Sequence, residues 1–225
     1  MIRIKNIQWD VDASTEKERV KIVEELGLPV ELILNNFAGD EEDVLDFLSD
    51  EYGYCVFGFE AERGDPYCRI LTQYDFKQVS QLDELSDFVV SEYLDCGNYA
   101  YGIFFGNSLI GYVTIGGADC LGSCEITKDC DYSNNAFLLS DMFILKQYRR
   151  LECGTNLIRF ALKENWKANG NYPVYLQPYS SEDGCVEFYK NLGFKPIYSD
   201  EAEGIICAFK TLPEENQLRL DLKIS

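Results

Sequence analysis

The chain has 225 residues, with 39 acidic side chains against 20 basic ones and no histidine, for a net charge of −19. That balance repels nucleic-acid phosphates and anionic lipid, so both are discounted as partners, and it favours cationic small molecules near the surface. The odd number of cysteines, nine, points to reduced thiols of a cytoplasmic protein and excludes a complete disulfide framework.

The amino terminus, Met1 to Trp9, lacks a basic region followed by an apolar run and is not expected to be a signal peptide. From there to residue 64 the pattern is that of a small α+β unit. Ile2 to Ile7 reads as alternating apolar with polar, as a half-buried strand does. Thr15 with Glu18 forms a capping-box pair for a helix over Lys17 to Leu26, which Gly27 and Pro29 end. Val30 to Asn35 reads as a second strand. Asp40 can cap a helix that carries Val44, Leu45 and Leu48 on one face, and Tyr54 to Phe59 is a third strand. Residues 1–64 hold 16 acidic and 6 basic side chains and no recognisable chemistry. A unit of this size has a marginal core, so it is expected to dock on the rest of the chain or on a partner. Arg63 to Pro66 is turn chemistry and marks the boundary.

Beyond it, Tyr67 to Leu71 reads as a strand and Leu82 to Leu94 as an amphipathic helix. Ala100 to Phe105 and Leu109 to Ile115 form a hairpin through Gly106-Asn-Ser108. Gly116 to Asn135 reads as a long polar loop. Its Cys120, Cys124 and Cys130 lack the spacing of a zinc site, so no metal is expected, and the missing histidine removes the Ser/His and Cys/His nucleophile arrangements.

The stretch from Ser140 carries the chemistry. Ser140 to Leu145 is an apolar strand, Lys146-Gln-Tyr-Arg-Arg150 places three cations in five residues, and a helix begins at Gly154. A strand feeding such a turn aims backbone N–H groups and a positive dipole end at one point, as a diphosphate site requires. Arg149 and Arg150 would supply charge-assisted hydrogen bonds, and the amides of Cys153, Gly154 and Thr155 would complete the cradle. Gly154, having no Cβ, would let the backbone approach a phosphate.

With the hairpin, Ser140–Thr155 and Ser181–Phe194 in this order, the chain resembles the GNAT superfamily, the Gcn5-related N-acetyltransferases, over about residues 66–211. The family turn Arg/Gln-x-x-Gly-x-Gly/Ala corresponds here to Arg149-Arg-Leu-Glu152-Cys-Gly154, with its second small residue kept as Gly154. The family pattern Asn-x-x-Ala-x-x-Phe-Tyr followed by Gly-Phe corresponds to Glu182, Cys185, Phe188, Tyr189, Gly193 and Phe194.

The resemblance implies a mixed α/β (α+β) fold, a mostly antiparallel sheet flanked by helices, behind the small α+β domain of residues 1–64. Residues 212–225 would be a tail or terminal strand. It implies an acetyl-CoA-dependent N-acetyltransferase acting on a primary amine of a small molecule or protein. Acetyl-CoA would be held by the strand backbone at Met142, Phe143 and Ile144, by Arg149, Arg150, Leu151, Cys153, Gly154 and Thr155, and by Glu182 and Cys185. Tyr189 would protonate the departing thiolate. Asp141 either relays a proton from the incoming ammonium or only lines the strand end, and Tyr175, Tyr179 and Glu182 are further polar candidates. Two rivals stand beside this reading. One is a catalytically degenerate CoA-binding or protein-interaction module, suggested by Glu152 and Glu182. The other gives the biological role to the amino-terminal domain, through a partner protein or a homodimer.

Overall fold

The computed structural model describes residues 1–35, 37, 39–82, 99–117, 136–176, 185–200 and 205–211. The chain divides into two compact units. One is Met1–Pro66 with Lys146–Leu151, the other Tyr67–Leu145 with Glu152–Ser225.

The first unit is a three-stranded antiparallel sheet in the order β2-β1-β3, formed by β1 (Ile2–Trp9), β2 (Glu31–Leu34) and β3 (Val56–Arg63). The alternation in β1 changes parity: Ile2 and Ile4 are buried, and so are Ile7 and Trp9. A register irregularity between Lys5 and Gln8 absorbs the extra residue, with Asn6 at φ +53°. Asparagine tolerates that left-handed conformation better than most side chains. Helix α1 (Glu16–Glu25) starts where expected: the Thr15 hydroxyl accepts the Glu18 N–H, while the Glu18 carboxylate accepts the N–H of Ser14. Helix α2 (Glu41–Tyr52) has a full reciprocal capping box between Asp40 and Asp43. It buries Val44 and Leu48 against β1 residues, and the Tyr52 ring meets Trp9 edge-on at 5.3 Å. The third strand runs on to Arg63, paired with Ile2, so the expected linker begins inside the sheet.

The second unit contains a seven-stranded sheet. Its strands are β4 (Tyr67–Ile70), β5 (Tyr99–Phe105), β6 (Ser108–Gly117), β7 (Phe137–Ile144), β8 (Val174–Leu176), β9 (Lys195–Asp200) and β10 (Ile205–Thr211). Their order is β4-β5-β6-β7-β8-β10-β9, antiparallel except where β7 meets β8. The β5–β6 hairpin closes with Phe105 opposite Ser108, as its Gly-Asn turn predicted. Gly116 and Gly117 belong to β6, not to a loop, while residues 118–135 and most of the expected helix from Leu82 lie outside the described residues. A 3₁₀ turn, Gln73–Asp75, and the short helix α3 (Phe76–Val79) follow β4. Helix α4 (Cys153–Asn169) buries Leu157, Ile158, Ala161 and Leu162 on one face and packs on β5 and β6. Helix α5 (Cys185–Asn191) buries Tyr189. This is the expected mixed, mostly antiparallel sheet flanked by helices.

The two ladders bordering β7 differ in length. The antiparallel ladder between β6 and β7 runs the whole way to Gly111↔Ile144. The parallel ladder between β7 and β8 covers only Phe137↔Val174 and Leu138↔Tyr175. The far half of β7 therefore extends past the registered β7–β8 pairing.

Candidate active site

The site is assembled from the far half of β7, the start of α4, and α5, all in the second unit; the turn between β7 and α4 belongs to the first. In β7 the register with β6 passes from Val113↔Met142 to Ile115↔Leu139, so Ser140 and Asp141 stand opposite the single residue Thr114. That is a β-bulge, a device that redirects side chains near sites. The Asp141 N–H donates to Thr114 Oγ1 at 3.1 Å instead of to the ladder. Burial pushes the half-buried Asp141 carboxyl upward, and its hydrogen bond with Thr114 opposes that shift.

Met142 and Ile144 lie two apart on β7 and approach the same point of α4. A Cβ built on Gly154 would come within 2.8 Å of Met142 Cε, 3.5 Å of Phe188 Cζ and 3.8 Å of Ile144 Cγ1. The bare position of Gly154 therefore faces β7 and α5 and permits close helix–strand packing. Phe143 stacks on Tyr112 at 6.3 Å, and Gly111 is the position where a Cβ would collide with the Phe143 carbonyl oxygen.

The Tyr189 hydroxyl points at Met142 and lies 3.9 Å from its sulfur. The ring is held edge-on between Phe188, at 5.1 Å, and Phe194, at 5.8 Å. Burial, assisted by Cys185, pushes the phenol well above its ordinary value, so it remains a neutral donor. Cys153, the first residue of α4, is buried, and burial raises its thiol to about 11. Cys68 on β4 is raised to about 12, by burial first and then by Cys153. Neither is a thiolate at neutral pH, so neither is an activated nucleophile.

The turn is a short 3₁₀ segment, Lys146–Tyr148, closed by the Arg149 N–H donating to the Lys146 carbonyl at 3.2 Å. Arg149 and Arg150 are exposed, Leu151 and Thr155 half-buried. Two residues are left-handed: Arg150 at φ +66° and Glu152 at φ +62°. Glu152 is the N-cap of α4, and its side chain caps no amide of the helix. Its carbonyl accepts the Asn156 N–H at 2.9 Å and so starts the helical ladder. A helix start whose N-cap side chain bonds no amide is suited to an anion with several oxygens, and in the sequence two arginines, Arg149 and Arg150, precede it. The residues present thus fit a CoA diphosphate, with Glu152 the one acceptor of like charge among them.

Of the predicted site residues, the structure brings together Met142, Ile144, Gly154, Cys185 and Tyr189, with Asp141 in the bulge beside them. Tyr175 is buried in β8, opposite Leu138. Glu182 and Tyr179 lie outside the described residues, as do Cys120, Cys124 and Cys130. Among the described residues no three His, Cys, Asp or Glu side chains gather as a metal set. Thr114 was not foreseen; its only sequence signal is a hydroxyl between Val113 and Ile115 in an apolar strand. Among the described residues no helix is long and apolar enough to cross a membrane.

Residues 104–196 match the acetyltransferase (GNAT) domain family. No curated protein matches the chain. Among solved structures, the mutant toxin AtaT bound to the C-terminus of the antitoxin AtaR and acetyl-CoA superposes with a TM-score of 0.52 at 19% identity, over 70% of this chain and 99% of that one. The AtaTR complex bound with acetyl-CoA gives 0.52 at 20% identity, over 69% of this chain and 98% of that one. An uncharacterized protein from Bacillus halodurans gives 0.54 at 11% identity, over 69% of this chain and 88% of that one. At these identities the superpositions establish the fold, and the matched residues span β6, the bulged strand β7, the basic turn, α4 and α5. The region similar to the GNAT acetyltransferase domain family, residues 104–196, is thus the region that holds the candidate site.

Proposed function

We propose that this protein is an acetyl-CoA-dependent N-acetyltransferase whose acceptor is a primary amine on a cationic small molecule or a protein. The observation that carries the reading is the convergence of three elements at Met142: the strand itself, the start of α4 through Gly154, and α5 through the Tyr189 hydroxyl. A transferase of this kind needs a phosphate grip, an extended strand and a proton donor at one place.

Acetyl-CoA, when bound, supplies the activated thioester. Arg149, Arg150 and the amides of Cys153, Gly154 and Thr155 hold its phosphates. The backbone of Met142 to Ile144 aligns the amide-rich arm in the manner of an added strand and offers an N–H to the thioester oxygen. Glu182 and Cys185 complete the cofactor contacts. Asp141 accepts a proton from the incoming ammonium, and Tyr189 donates one to the departing sulfur. Net charge supports a cationic acceptor over a polyanionic one.

A second reading keeps the fold and drops the chemistry: a CoA-binding or protein-interaction module. Glu152 favours it, since a carboxylate stands at a left-handed position in the phosphate turn. The amino-terminal unit, proposed as a separate domain over residues 1–64, would then hold the partner. Titration with acetyl-CoA by calorimetry, followed by a thiol-release assay across primary amines, separates the two. Binding with thiol release supports the transferase. Binding without release, or no binding, leaves the module.

A further inference from the structure

The bulge in β7 is held by a side chain to which the acetyl-transfer scheme gives no role. A bulge lifts a backbone N–H out of the ladder and leaves it needing a partner. Here that N–H belongs to Asp141, and its partner is the Thr114 hydroxyl, 3.1 Å away across the strand pair. Thr114 is fully buried, and only Asp75 and Asn165 share the class of buried polar or charged residues with it among the described residues. A buried hydroxyl is costly unless it is hydrogen-bonded, and valine would meet the packing and strand propensity of this position equally well. A threonine here is thus explained by its hydrogen bonds, and these go to the one acidic residue of the bulge. The same hydroxyl acts on the Asp141 carboxyl, favouring its charged form against the burial that disfavours it. Among the described residues, titratable side chains placed beside β7 include Tyr112, stacked on Phe143, Tyr175, in register with Leu138, and Tyr189 at Met142, with Cys185 acting on Tyr189.

We propose that Thr114 is a positioning residue for Asp141: its buried hydroxyl pins the backbone of the bulge and keeps the carboxylate ready to accept the proton of the incoming ammonium. One proton passes from the ammonium nitrogen to the carboxylate, and Thr114 itself neither gains nor loses one. The catalytic meaning of this role rests on the acetyl-transfer reading; the hydrogen bonds do not.

Aspartate-labelled protein, with Asp141→Asn to assign the signal, reports the carboxyl titration by NMR without any substrate. Amide hydrogen exchange reports the Asp141 N–H in the unaltered protein. That N–H is expected to be protected, and exchange at the rate of an exposed amide would overturn the proposal. In Thr114→Val the titration midpoint is expected to move to higher pH, and in Thr114→Ser to return toward the parent value. An unmoved midpoint in the valine variant, or an equal shift in both, would overturn it as well. Should the valine variant fail to fold, the serine variant and the exchange measurement still decide. With an active amine, the acidic limb of kcat/KM is expected to move to higher pH in Thr114→Val, lowering the value there about tenfold, the size of one charge-assisted hydrogen bond. If the parent protein binds acetyl-CoA and transfers nothing, the transferase reading fails, while the NMR arms still decide what Thr114 does to Asp141.

Discussion

Tyr189 shows how one residue's surroundings select its chemistry. The phenol is buried between two phenylalanines, with its hydroxyl 3.9 Å from a thioether. Burial raises its pKa, so it stays a donor throughout the neutral range. Replacing it with phenylalanine preserves the ring contacts and removes only the proton. Tyr189→Phe is therefore expected to lower kcat about 10²–10⁴-fold with acetyl-CoA affinity nearly unchanged, measured by steady-state kinetics and calorimetry. Equal turnover in the variant would remove Tyr189 from the mechanism. Glu152 presents the opposite case, a residue at odds with its own backbone. At φ +62° a side chain suffers steric strain that glycine avoids. Glu152→Gly is expected to stabilise the protein by about 1 kcal/mol in chemical denaturation. It should also tighten acetyl-CoA binding, since a like charge leaves the phosphate turn; weaker binding would show that the carboxylate does something else there.

At the scale of elements, the turn after β4 is held by a single carboxylate. Asp75 accepts from Arg69 Nη1 at 2.8 Å and Nη2 at 2.6 Å, and from the Thr72 N–H at 2.9 Å. The Arg69 guanidinium also lies 4.1 Å above the Phe104 ring, tying the turn to β5. The Arg69 hydrogen bond holds the Asp75 carboxyl below its ordinary range, against burial. A carboxyl whose pKa is depressed on folding contributes stability above its unfolded value and loses it as pH falls through the folded value. Asp75→Asn is expected to cost about 1–3 kcal/mol at neutral pH. The gap between parent and variant should close as pH drops below about 4, the unfolded carboxyl range. Urea titrations at several pH values check this, and a gap independent of pH would refute the ionic origin. Elements of this kind were readable where their determinants are local: the Asp40 cap, the Thr15 cap and the Gly106-Asn107 turn all lie where residue type placed them. The β1 irregularity at Asn6 left a trace in the sequence, since the two consecutive polar residues Lys5 and Asn6 break the alternation, but how the extra residue is absorbed is decided only by pairing with the partner strand.

For the whole molecule, the net charge of −19 sets a long-range field that contact geometry does not describe. Such a field concentrates cations near the protein and is screened within about 10 Å at 0.1 M salt. If the acceptor is a cationic amine, kcat/KM is expected to fall as ionic strength rises, while a neutral acceptor of similar size should show little change. Stopped-flow or initial-rate measurements from low to moderate salt distinguish the two, and a flat response for the cation would locate the recognition in short-range contacts alone. Composition, caps, the hairpin and the succession strand–basic turn–helix–strand–helix could all be read from the chain itself. They depend on periodicity, turn chemistry and charge, which act over a few residues or over the molecule as a whole. What the tertiary structure alone decided is which side chains meet. Thr114 reaches Asp141 across 27 positions, and Tyr189 reaches Met142 across 47. Such meetings follow from strand register and from the bulge, where a shift of one residue would turn the same side chains to the opposite face.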